Sequence, residues 1–94
     1  MNKQWKRRKT KMDKVVVYGA DWCGDTQRTL RQLDNLDVAY DYVNVEGDER
    51  AALWVKEQNE GKERKPTVKV GRQVLSVPSD AELESALRKE GRIN

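Results

Sequence analysis

Ninety-four residues, 36% hydrophobic and 37% charged, fit one small domain, and its single cysteine forms no internal disulfide to staple the core. The absence of histidine excludes a Cys–His dyad, a Ser–His–Asp triad and an imidazole metal site. The longest apolar stretch, Val15 to Ala20, is too short for a signal core or a membrane span, so a soluble cytoplasmic protein without a membrane partner is expected. Charge divides the chain: residues 1–14 carry seven Lys or Arg against one Asp, and the other eighty carry twelve against fifteen. Positions 1–12 have no periodic apolar face and are expected as a basic flexible arm, with the domain over 13–94. Phosphate attraction would let nucleic acid meet the chain only through that arm, and one basic run with one tryptophan favours a passive extension.

Lys14 to Gly19 is short, β-branched and apolar on both faces, which predicts a buried central strand bounded by a glycine. Asp25 to Asn35 carries Leu30 and Leu33, with Leu36 one turn on, at the spacing of an amphipathic helix that begins close to Cys23. Val38 to Val45 alternates Val38, Tyr40 and Tyr42 with Ala39, Asp41 and Val43, which predicts a second strand. A second helix opens at Gly47-Asp48-Glu49, with Asp48 as its N-cap. Ala51, Ala52 and Val55 form its inner stripe, with Leu53 or Trp54 alongside, and Gly61 supplies the left-handed residue that ends it. Thr67–Val70, a Gly71-Arg72 turn and Gln73–Val77 predict a tight hairpin. Ser79-Asp80-Ala81-Glu82 has the form of a capping box; Leu83, Ala86 and Leu87 give the last helix its buried face, and Gly91 stops it. The order β-α-β-α-β-β-α predicts an α/β domain: a four-stranded mixed sheet with three helices, its first β-α-β unit parallel and its closing hairpin antiparallel.

Cys23 falls between the first strand and a helix N-terminus, in Ala20-Asp21-Trp22-Cys23-Gly24-Asp25-Thr26. Unpaired N–H donors and the positive end of the helix dipole stabilise a thiolate there, and the thiolate is the form that attacks disulfides or binds metal. Asp21, Gly24 and Asp25 argue against a merely buried cysteine. The same two acids raise a thiol's pKa, and spacing alone leaves the sign of the net shift open.

On three features the chain resembles the glutaredoxin family of the thioredoxin fold: the strand–Cys23–helix junction, Lys65-Pro66-Thr67-Val68 entering the third strand, and Pro78-Ser79-Asp80 at the last helix. The resemblance spans about residues 13–90 and is closest to small mycoredoxin-like members. It implies Cys23 as the attacking thiol and Pro66 as a cis-proline facing it. The Lys65 backbone would pair with an extended thiol peptide, Trp22 would form an aromatic wall beside the thiol, and Ser79 and Asp80 would meet the γ-glutamyl carboxylate of glutathione. Thr26 stands where a second cysteine would be, so the site is monothiol. Ala20 replaces a lysine that many glutaredoxins carry, and Lys65 is a partial replacement for that charge.

The expected function is therefore monothiol thiol–disulfide exchange on mixed disulfides, with glutathione or an analogue as co-substrate and thiolated or disulfide proteins as partners. The resemblance also implies an alternative: a [2Fe–2S] centre held by Cys23 in a thiol-ligated dimer, where the exchange reading expects a monomer. A redox-silent binding module of the same fold is the third reading.

Overall fold

Three consecutive valines make the start of the first strand wholly apolar, and the sheet forms around it. The computed structural model describes residues 14–94, so the basic arm expected over positions 1–12 lies outside the described residues. The elements are β1 (Val15–Gly19), α1 (Gly24–Asn35), β2 (Tyr40–Asn44), α2 (Glu49–Gln58), β3 (Thr67–Val70), β4 (Gln73–Ser76) and α3 (Asp80–Lys89), with a 3-10 turn at Val45–Gly47. The sheet order is β2-β1-β3-β4. β1 runs parallel to β2 and antiparallel to β3, and β3 pairs antiparallel with β4. This is the four-stranded mixed sheet with three helices that the residue pattern predicts.

Alternation along β1 sorts the side chains to two cores. Val15 and Val17 join Leu33 of α1, Val68 and Val70 of β3, and Leu83 and Leu87 of α3 in the larger one. Burying each leucine contributes roughly 1.5–3 kcal/mol, and Leu33, Leu83 and Leu87 are all fully enclosed. The opposite face holds Val45, Ala51 and Val55 with Tyr18 and Trp54, whose rings lie 4.6 Å apart. Trp54, not Leu53, packs there; Leu53 is 58% exposed. Among the described residues no helix is long and apolar enough to cross a membrane.

Element ends differ from the sequence pattern where backbone donors have other partners. Asp37 takes a left-handed φ of 60° to close α1, and the Val38 N–H donates to the Leu33 carbonyl at 3.0 Å, so β2 starts at Tyr40. At its other end the Asn44 side chain accepts from the Glu46 N–H at 3.0 Å and turns Val45 out of the strand. β4 stops at Ser76 because Val77 has φ 44° and its N–H donates to the Pro66 carbonyl at 2.8 Å. That last bond ties the end of the hairpin to the segment that faces Cys23.

Candidate active site

Gly19 ends β1 because anything larger would not fit: a Cβ there would lie 2.6 Å from the Thr26 Cγ2. With that room, Thr26 is fully buried under the turn that joins β1 to α1, and its Oγ1 accepts from the Ala20 N–H at 3.3 Å. The turn closes with the Cys23 N–H donating to the Ala20 carbonyl at 3.1 Å, which makes Cys23 the N-cap of α1. Its side chain makes no cap hydrogen bond, and the half-buried thiol instead points its proton at the Lys65 carbonyl, 3.8 Å away.

The electrostatics of the sulfur are a contest. Burial pushes the thiol pKa up. The Thr26 hydroxyl and the backbone N–H groups of Thr26 and Asp25 stabilise the thiolate and pull it down, and the Asp25 carboxylate opposes them; the net position is below the ordinary thiol value. The helix start thus outweighs the nearby acid. Asp25 is engaged by Arg28 at 3.4 Å, while the Asp21 carboxylate accepts from the Tyr42 hydroxyl at 2.6 Å.

Lys65 and Pro66 lie across from the sulfur, joined by a cis peptide bond, with Pro66 buried. The Lys65 ammonium is matched by Glu63 at 3.0 Å and stands 5.5 Å from the centre of the Trp22 ring. Trp22 is 65% exposed, and its indole N–H donates to Glu46 at 2.6 Å. The indole is thus an outward-facing surface beside the thiol, held at one edge. Cys23, Trp22, Thr26, Lys65 and Pro66 form one cluster.

Ser79 and Asp80 stand at the N-terminus of α3, linked to α1 through Arg28. Its guanidinium donates to Asp80 at 2.8 Å and to the Pro78 carbonyl at 3.5 Å. The Ser79 hydroxyl accepts from the Glu82 N–H at 3.1 Å, and Glu82 accepts from the Ser79 N–H at 2.8 Å. The capping box read from the residues is therefore complete, and the Asp80 carboxylate has an internal cation.

Four residues that the sequence reading did not single out shape the site: Gln27, Arg28, Tyr42 and Glu46. Gln27 and Arg28 follow Thr26 directly in α1, so only their neighbourhood hinted at a role. Tyr42 and Glu46 reach the loop from 21 and 24 residues away, a separation no local pattern reveals. Among the described residues, no three Cys, Asp or Glu converge as metal ligands. One chain offers one thiol, so a [2Fe–2S] centre would take its other thiolates from outside it.

Comparison with known proteins agrees with this geometry. The Glutaredoxin family model matches residues 15–75. Mycoredoxin 1 of Corynebacterium glutamicum is 40% identical over 58 residues, 62% of this chain and 71% of that protein. A protein of Mycobacterium tuberculosis provisionally named a glutaredoxin is 34% identical over 76 residues, 80% of this chain and 90% of its own length. The crystal structure of a glutaredoxin from Archaeoglobus fulgidus superposes with a TM-score of 0.69 at 18% identity, over 94% of this chain and 97% of that one, which shows the shared fold. With a family match over most of the folded residues and Cys23 at the strand–helix junction, the chain belongs to the glutaredoxin family.

Proposed function

We propose that this chain is a monothiol thiol–disulfide oxidoreductase acting on mixed disulfides between a protein and a low-molecular-weight thiol. The observation that carries the reading is the Cys23 sulfur at the start of α1, facing Lys65, with donors directed at its thiolate. The thiolate attacks the small-thiol sulfur of the mixed disulfide, the disulfide bond breaks, and the protein thiolate leaves and takes up a proton. Cys23 then carries the small thiol. A second small thiolate attacks that bound sulfur, forming the symmetric small disulfide and returning Cys23 as thiolate. No second protein cysteine is needed, which suits a chain with one.

The roles of the surrounding residues follow from their places. Thr26 donates to the thiolate, the Lys65 and Pro66 backbone offers an edge along which an extended substrate lies, and Trp22 covers one side. Ser79 and Asp80, at the start of α3, would meet the far end of a small thiol such as glutathione. The test is reduction of a peptide–glutathione mixed disulfide by wild type and Cys23→Ser, followed by mass spectrometry. Wild type should release the peptide thiol through a glutathionylated Cys23, and the variant should not. Equal rates in the two would remove the exchange reading.

A further inference from the structure

Five carboxylates lie on the Cys23 turn and on the elements around it, and their partners are of two kinds. Asp25 and Asp80 are held by the Arg28 guanidinium, and Glu63 by the Lys65 ammonium. Asp21 and Glu46 are held by neutral donors, the Tyr42 hydroxyl and the Trp22 indole N–H, both at 2.6 Å. Asp21 is the nearer of these two to the sulfur in sequence, two residues from Cys23 within the same turn. That turn is gripped at Asp21 from two elements: Gln27 of α1 donates to its carbonyl at 2.7 Å, and Tyr42 of β2 donates to its carboxylate. Tyr42 can do this because Val17 and Tyr42 are paired across β1 and β2, which sets the ring against the larger core and aims the hydroxyl at the end of the sheet where α1 begins.

We infer that Tyr42 is a positioning residue for the reacting thiol: from β2 it fixes the Asp21 carboxylate, and with it the Cys23 turn, so that this negative charge is bound to the phenol rather than left to oppose the thiolate. Asp25 acts on the Cys23 thiol, whereas Asp21 acts on Tyr42, whose pKa is pushed well up by burial first, then by its bond to Asp21 and by the charges of Glu46 and Cys23. The titratable groups on the elements around the sulfur are Asp21 in its own turn, Asp25 and Arg28 from α1, Tyr42 from β2, Glu46 from the 3-10 turn, Lys65 with Glu63 from the segment before β3, and Asp80 at the start of α3. Within that set, the Tyr42 hydroxyl is removable without deleting a charge.

The inference rests on Cys23 as the reacting thiol, and its test needs no disulfide substrate. The full chain is alkylated with iodoacetamide across pH, and the midpoint of the rate is read by intact mass. Tyr42→Phe keeps the ring in the core and frees Asp21, so the midpoint should rise by about half a pH unit or more. Asp21→Asn keeps an acceptor oxygen for Tyr42 but drops the charge, so its midpoint should stay at or below that of wild type. In Tyr42→Phe/Asp21→Asn the rise should vanish. An unchanged midpoint in Tyr42→Phe would overturn the inference, as would a rise that persists in the double variant or one that appears in Asp21→Asn alone. A chain that reacts this way yet leaves mixed disulfides intact would refute the exchange reading and not the role of Tyr42.

Discussion

The starts of α1 and α3 are built on the same positions and reach opposite chemical states. At α3 the N-cap is Ser79 and the third helical residue is Glu82, and each satisfies the other's backbone N–H. At α1 the N-cap is Cys23, which makes no cap bond, and the third helical residue is Thr26. Thr26 turns away from the cap's N–H; it accepts from Ala20 behind the turn and donates toward the sulfur. α2 follows the first pattern, with Asp48 accepting from the Ala51 N–H at 3.0 Å. A helix start closed by oxygen is stable and inert, whereas one closed by sulfur keeps donors for a charge that appears only on ionisation. On the proposed function, the helix start that carries the thiol is the one that forgoes a cap worth about 1 kcal/mol.

The largest test of that comparison strikes the room beneath the sulfur. In Gly19→Ala the new methyl meets Thr26 at the end of β1, and the crowded atoms are a fully buried side chain with little space to move. A loss of about 1–3 kcal/mol is expected in urea unfolding, together with a higher Cys23 alkylation midpoint as Thr26 shifts. Full stability would mean that the packing at the α1 start is looser than the geometry indicates. On the capped side, Ser79→Ala removes the oxygen that accepts from Glu82 and should cost about 1 kcal/mol by the same measurement. An unfolding midpoint equal to that of wild type would show that the closed start contributes no stability, and the contrast between the two helices would collapse.

What was legible beforehand divides along the same line. Both capped helix starts announce themselves locally: Asp48 ahead of Ala51, and the Ser79–Glu82 spacing, are short-range rules that the structure meets bond for bond. β1 was legible because a run of valines has few other uses, and the two-residue Gly71-Arg72 turn fixed the hairpin register. The place of Cys23 in the candidate site, where a strand meets a helix, was legible, but the sign of its thiol's shift was not. Whether Asp21 and Asp25 defeat the helix start depends on where two carboxylates point, and their partners Tyr42 and Arg28 are set by sheet register and helix packing. Likewise Val77 adopts φ 44° because the hairpin must turn back to Pro66, although a β-branched residue gives no local hint of that conformation. Leu53 and Trp54 were interchangeable by spacing until Tyr18 across the layer selected the tryptophan.

The finest test sets two threonines of α1 against each other. Thr26 and Thr29 are both fully or almost fully buried, one helical turn apart, yet Thr26 has its hydroxyl engaged and the Thr29 hydroxyl finds no partner. Valine has nearly the same shape and no hydroxyl, so it separates the two cases. Thr26→Val removes a donor to the thiolate, and the alkylation midpoint of Cys23 should rise toward the ordinary thiol value. Because the folded pKa of Cys23 lies below the unfolded one, the thiolate adds stability above the unfolded value, and that part is lost as pH falls through the folded value. In Thr26→Val this dependence should shrink when unfolding is followed from neutral to alkaline pH. Thr29→Val removes only an unpaired buried hydroxyl, so it should leave the thiol midpoint unchanged and stabilise the chain by up to about 1 kcal/mol. If both valines moved the thiol equally, the sulfur would be responding to α1 as a whole, and the special standing of its third residue would be lost.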